Sequence, residues 1–116
     1  MNKRATGAGY EAQAARFLER SGMQIVAQNY RTRSGEIDLI ARDGKYLVFV
    51  EVKFRANTKN GNALEAVDLR KQRTIIRTAQ HYLLRYGYGM QTPCRFDVVG
   101  INGTEITHIK NAFWME

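Results

Sequence analysis

Gly35-Glu36-Ile37-Asp38-Leu39-Ile40-Ala41 and Tyr46-Leu47-Val48-Phe49-Val50-Glu51-Val52-Lys53-Phe54, separated by Arg42-Asp43-Gly44-Lys45, read as the two strands and the turn of a β-hairpin. Asp-Gly between apolar runs is a strong hairpin signal. The second strand is apolar almost throughout, the pattern of a central strand covered on both faces. Side chains alternate along a strand, so Phe49, Glu51 and Lys53 share one side and Val48, Val50 and Val52 the other. Two charged groups therefore interrupt a strand that should be buried. A lone buried charge costs several kcal/mol, roughly, unless it is paired or bound to a metal.

The first strand supplies a partner. Opposed residues of antiparallel strands share a face. A turn centred on Asp43-Gly44 pairs Asp38 with Phe49 and puts Glu51 on the diagonal. A turn centred on Gly44-Lys45 pairs Asp38 with Glu51 directly. Either register places Asp38, Glu51 and Lys53 on one face, and a one-residue slip separates them. Two carboxylates held that close favour a cation between them. A hard divalent ion such as Mg²⁺ or Mn²⁺ takes carboxylate, carbonyl and water oxygens. Asp38, Glu51 and the Val52 backbone carbonyl form the expected metal set, and Lys53 is placed to orient a water or to offset charge on a phosphate. A structural alternative is a buried Glu51–Lys53 ion pair that stabilises the sheet.

Outward from the hairpin, residues 9–21 read as a helix, with Ala14, Ala15, Phe17 and Leu18 at helical spacing and Gly22 as its stop. Residues 23–30 read as a strand, 55–62 as a polar loop and 63–86 as a long helix. The stripe on that helix is Leu64, Val67, Ile75, Ala79, Tyr82, Leu83 and Tyr86. Residues 95–101 and 105–109 form a last strand pair around Asn102-Gly103. The order α-β-β-β-α-β-β predicts an α/β fold, a mixed central sheet flanked by helices. At 116 residues, one domain spanning 1–116 is expected. Glu11 falls on the inward face of the first helix with Ala15 and Leu18. It either completes the metal site or is a first-turn glutamate favoured by the helix dipole.

Lys and Arg total 18 against 11 Asp and Glu, a net charge of +7, which favours a polyanionic partner, most simply nucleic acid. Arg55, Lys59, Arg70 and Lys71 are the candidate phosphate contacts, with Arg73 and Arg77 further along the helix and Lys71 nearest the site; a solvated basic face is the alternative. No apolar run could span a bilayer and no secretory signal is visible, so a cytoplasmic protein is expected. Cys94 is the single cysteine and excludes an intrachain disulfide. His81 and His108 lack zinc-type spacing and read as surface or packing residues. Asp97 reads as a buried partner of Arg95. Tyr82, Tyr86, Phe113 and Trp114 either stack on bases or pack in a core or dimer interface. Residues 112–115 are the candidate self-interaction patch.

Glu11, Asp38 and Glu51-Val52-Lys53 resemble the restriction-endonuclease-like PD-(D/E)XK arrangement, particularly that of archaeal Holliday-junction resolvases. More closely, the chain is similar to the YraN-like uncharacterised bacterial family. Gly7–Glu11, Ala14–Leu18, Gly35–Ala41, Val48–Arg55, Lys71 and Cys94–Val99 carry that resemblance. It implies an αβββαβ core, a divalent metal on Asp38 and Glu51 with Glu11 nearby, and Lys53 as the catalytic lysine. Ile37 stands where the motif's name has proline. The implied activity is Mg²⁺-dependent hydrolysis of DNA, with branched or junction DNA as a candidate substrate and a homodimer required to cut a symmetric junction. A non-catalytic nucleic-acid-binding module and a purely protein-binding role are the alternatives.

Overall fold

Four residues of the central strand, Leu47, Val48, Phe49 and Val50, are shielded from solvent almost completely, so the strand is covered on both faces as its composition requires. The computed structural model describes residues 3–55 and 67–114. In chain order the elements are α1 (Lys3–Arg20), β1 (Gln24–Arg31), β2 (Glu36–Asp43), β3 (Tyr46–Arg55), α2 (Leu69–Arg85), β4 (Cys94–Asn102) and β5 (Glu105–Phe113). The strands form one five-stranded sheet in the order β1-β2-β3-β4-β5. Neighbours are antiparallel except β3 and β4, which are parallel. Parallel neighbours need a long crossover, and α2 lies within that connection. This mixed α/β architecture is compatible with an αβββαβ core.

The two faces carry separate apolar cores. Ala14, Ala15 and Leu18 of α1 pack on Leu39, Ala41, Val48, Val50 and Val99. Ile75, Ala79 and Tyr82 of α2 pack on Ile40, Leu47, Phe49, Phe96 and Val98. Each of the larger side chains, fully buried, contributes about 1.5–3 kcal/mol. Phe49, Phe96 and Phe113 stack in sequence across β3, β4 and β5 at centroid separations of 5.5 and 5.1 Å. Phe113 and Tyr82 are therefore core residues, while Tyr86 and Trp114 remain exposed.

Several boundaries differ from the sequence expectation. The helix expected over 63–86 begins at Leu69, because Asp68 caps it: its backbone is extended and its carboxylate accepts the Lys71 N–H at 2.8 Å. Residues 63–66, most of the loop expected over 55–62, and Lys59 lie outside the described residues. Both hairpin turns sit one residue later than Asp43-Gly44 and Asn102-Gly103. Asp43 pairs with Tyr46 and Asn102 with Glu105, leaving Gly44-Lys45 and Gly103-Thr104 as the loops. Gly44 and Gly103 both have φ of 59°, which suits the first loop position reserved for glycine in type II′ turns. The last strand runs to Phe113 rather than ending at 109. A bulge opposite Asp97 lets it continue, with Asn111 at φ 54° and its N–H donated to Asp97 Oδ1. Gly22 does stop α1, in a Schellman motif: Met23 N–H bonds Leu18 O and Gly22 N–H bonds Glu19 O, both at 3.0 Å.

Candidate metal and phosphate site

The hairpin register places Asp38 opposite Glu51. Leu39 pairs with Val50 and Ile40 with Phe49, and the next step along the ladder would join Asp38 to Glu51. Instead of a backbone rung, the Asp38 side chain enters: its Oδ2 accepts the Val52 N–H at 2.8 Å. Asp38 is also hydrogen-bonded to the Glu51 carboxyl. The end of the β2–β3 ladder is thus closed by a side chain and presents carboxyl groups at the sheet's edge.

Glu51 is buried although it is acidic, and two ammonium groups compensate. Lys53 Nζ and Lys71 Nζ each lie 3.4 Å from its Oε2. Lys53 reaches it along β3, and Lys71 descends from the first turn of α2, which Asp68 aims. Close approach of α2 to β2 is secured at Gly35, where a Cβ would overlap Thr74 Cγ2 and press on Thr78 Oγ1 at 3.3 Å.

On the other side of Asp38 a second carboxylate group gathers. One oxygen each from Glu11, Glu36 and Asp38 lie within 4.8 Å of one another. Glu11 arrives from α1 and is hydrogen-bonded by the Asn29 side chain; Glu36 also pairs with Arg31 at 3.4 Å. Burial pushes the Glu11 carboxyl up, and the nearby Glu36 and Glu51 charges add to this. Burial, followed by the Glu51 charge, pushes Asp38 from 3.8 up to about 8, against the lowering effect of the Val52 N–H. A carboxyl whose ionisation is opposed by burial and by neighbouring acids is one that a cation beside it would favour.

The donor chemistry fits a hard divalent cation. Cation–oxygen distances of about 2.0–2.6 Å put two ligand oxygens of one ion within the separations seen among Glu11, Glu36 and Asp38. The geometry differs in emphasis from the set expected from sequence. Asp38 belongs to both groupings, but Glu51 Oε2 faces two lysines and Val52 contributes its N–H to Asp38. Glu36 was not singled out from sequence. The signal was available: it stands two residues before Asp38 on the same strand and so shares its face. Arg55 ends β3. Arg70 is exposed on α2 and takes part in no ion pair found among the described residues.

The remaining candidates are structural. Asp97 is fully buried and accepts both Arg95 Nε and Arg95 Nη2 at 2.9 Å, with His108 Nε2 at 2.7 Å. Arg95 also bonds Asp43 at 2.9 Å. Burial alone would raise the Asp97 carboxyl, but hydrogen bonds from His108, Arg95 and the Asn111 amide hold it below the usual carboxylate value. This network ties the β2–β3 turn to β4 and β5. His108 is thus an inward partner of Asp97 and not a surface residue, whereas His81 is exposed. Cys94 is half-buried, and burial pushes its thiol up, away from thiolate reactivity.

The fold and this cluster define a small α/β protein with a mixed five-stranded sheet and an acidic and basic centre at one end of β2 and β3. The uncharacterised protein family UPF0102 matches residues 10–101, and the chain belongs to that family. A UPF0102 protein of Lachnoclostridium phytofermentans is 52% identical over 113 residues, covering 97% of this chain and 96% of the relative. One from Chlorobium chlorochromatii is 50% identical over 116 residues, covering 91% and 88%. A third, from Serratia proteamaculans, is 46% identical over 114 residues and covers 97% of both chains. The matched span includes Glu11, Glu36, Asp38, Glu51, Lys53 and Lys71. Among the described residues, no helix is long and apolar enough to cross a membrane.

Proposed function

We propose that this protein is a divalent-metal-dependent endonuclease of the restriction-endonuclease-like PD-(D/E)XK type that hydrolyses phosphodiester bonds of DNA, branched DNA included. One observation carries the reading: carboxyl groups from α1, β2 and β3 converge where the β2–β3 ladder ends, and Lys53 and Lys71 stand at their edge. Glu11, Glu36 and Asp38 would hold Mg²⁺ or Mn²⁺, with Glu51 adjoining. A bound cation of this kind supplies Lewis acidity at the phosphate and lowers the pKa of water.

The chain's own groups have distinct tasks. Asp38, whose carboxyl is held up near pH 8 by burial and by Glu51, would be the group that ionises to hold a cation there. Glu51 keeps the Lys53 ammonium at the edge of the site, where it can hydrogen-bond a phosphate oxygen or an attacking water. Lys71 offers a second cation from α2 for the negative charge that grows on the phosphate. The net charge of +7 draws a polyanion toward this acidic pocket despite its local repulsion. A symmetric four-way junction would require a homodimer, since two strands must be cut.

A panel of linear, single-stranded, flapped and four-way DNAs with Mg²⁺ or Mn²⁺ tests the proposal, beside Asp38→Ala and Lys53→Ala. Metal-dependent cleavage by the wild type and its loss in both variants is the expected result. Cleavage that survives Asp38→Ala undiminished refutes the assignment. A second reading, a nucleic-acid-binding module without turnover, draws on the pairing of Glu51 with both lysines, which neutralises that carboxylate without a metal. It requires salt-sensitive DNA binding with no cleavage under any of these conditions.

A further inference from the structure

A groove of about 680 Å³ opens between α2 and the end of β5. Ile76, Phe113 and Leu69 give it an apolar lining, Arg73 and Arg77 stand along one wall, and Trp114 closes the other. Phe113 is buried there, whereas Trp114 is 60% exposed and presents ring surface to solvent. The α2 sequence Leu69–Arg85 contains Arg70, Lys71, Arg73, Arg77 and Arg85 and no carboxylate. Among the described residues, Arg73 and Arg77 take part in no ion pair. They are four residues apart, about 6 Å along the helix axis and on one side of it.

Lys71, whose ammonium touches Glu51, lies across α2 from Arg73, because residues two apart on a helix point to different sides; the groove is therefore a surface separate from the candidate site. From its cationic wall and exposed indole we infer that the groove binds a single-stranded stretch of nucleic acid, with Arg73 and Arg77 on consecutive phosphates and a base stacked on Trp114. This inference goes beyond the nuclease reading: it names an unpaired strand as what the protein holds apart from the candidate site. The charge complementarity is one-sided, since the wall is cationic and the helix has no acid to answer it. The choice of a single strand comes from the indole and the apolar floor. A base face is available for stacking only when the base is out of a duplex, and such stacking is worth about 1–3 kcal/mol per base.

The chain's one tryptophan is Trp114, so its fluorescence reports on this groove alone. The full-length protein is titrated in EDTA, where no cleavage occurs, with oligo-dT, with a blunt duplex of equal phosphate content, with an abasic oligomer and with a glutamate-rich peptide. Oligo-dT should quench the emission, and the other three should do so weakly. The Arg73→Glu/Arg77→Glu pair should weaken oligo-dT binding at least tenfold. The milder Arg73→Gln/Arg77→Gln pair, with an unchanged circular dichroism spectrum, should lower the salt slope by about 1.4, from roughly 0.7 per phosphate contact. Asp38→Ala should leave the quenching intact.

No emission change with oligo-dT overturns the inference, as does quenching by the blunt duplex or the abasic oligomer as strong as by oligo-dT. Equal quenching by the acidic peptide assigns the groove to a protein partner instead, and emission that shifts with protein concentration alone assigns it to a second copy. Because the assay needs no metal, quenching without any cleavage fails the nuclease reading and keeps the groove. Cleavage without quenching does the reverse.

Discussion

Replacing Asp38 by Asn should make the metal-free protein more stable at alkaline pH, although it removes a residue of the candidate site. The Asp38 carboxyl moves from 3.8 to about 8 on folding, first through burial and then through the charge of Glu51. A carboxyl whose folded value lies above its unfolded one binds its proton more tightly in the native state. Its favourable contribution is complete below about pH 3.8 and is lost progressively as the pH rises through about 8. Each unit corresponds to about 1.4 kcal/mol. The full span from 3.8 to 8 would amount to about 6 kcal/mol. Water reaching the partly exposed carboxyl and the ammonium groups of Lys53 and Lys71 screen part of this, so a net effect of about 3 kcal/mol is expected above pH 8. Asparagine keeps an oxygen for the Val52 N–H and offers its amide to Glu51, as the protonated acid does. For a chain of this length the gain corresponds to roughly 12 °C in Tm. Thermal unfolding by circular dichroism in EDTA at pH 5 and pH 8.5 measures it. The loss accrues from pH 3.8 to about 8, so the gap at pH 5 should be about a third of that at pH 8.5. Added Mn²⁺ should raise the wild-type Tm and leave Asp38→Asn unmoved. A variant less stable than wild type at pH 8.5, or a gap equal at both pH values, refutes the reasoning, because ionisation would then not be its source.

Three further outcomes are expected. Gly35→Ala should cost about 1–3 kcal/mol in urea unfolding, since the new methyl overlaps Thr74 and drives α2 away from β2. The same change should weaken activity by pulling Lys71 off Glu51, and an unaltered midpoint would show that α2 has slack at this contact. Asp97→Ala should cost about 3–5 kcal/mol by leaving Arg95 without its buried partner and the Asn111 amide without an acceptor. Asp97→Asn, which can still accept from Asn111, should lose less, and chemical denaturation of the two variants ranks them. Glu36→Gln should weaken Mn²⁺ binding, measured by calorimetry, at least tenfold while leaving Glu51 paired with its lysines; unchanged affinity would remove Glu36 from the metal set.

The hairpin shows how local reading and tertiary structure divide the work. Alternation put Asp38, Glu51 and Lys53 on a shared face without reference to anything outside residues 35–54. It left two turn positions open, because Asp43-Gly44 and Gly44-Lys45 both satisfy the same local chemistry. The positive φ of Gly44 at the first loop position resolved this, and with it the pairing of Asp38 opposite Glu51. At α2 the apolar period extended the helix too far toward the N-terminus. Val67 belongs to the core but is not helical, and Asp68 starts the helix at Leu69 by capping its first turn. Asp97 and Arg95 could be matched from adjacency on one strand. The arrival of His108 and Asn111 at the same carboxylate needed the bulge in β5.

By itself the sequence determined the kind and order of the elements, the buried central strand and the face on which its charges lie. Those are consequences of period, turn chemistry and the cost of an unpaired charge, all of which act over a few residues. Which carboxylates meet was decided in three dimensions. Glu11 reaches Glu36 and Asp38 because α1 packs on one face of the sheet, and Lys71 reaches Glu51 because α2 packs on the other. Helical period turned Glu11 inward, but which groups Glu11 and Lys71 meet has no mark in the chain, since their partners come from separate elements and meet them only where packed layers bring their ends together.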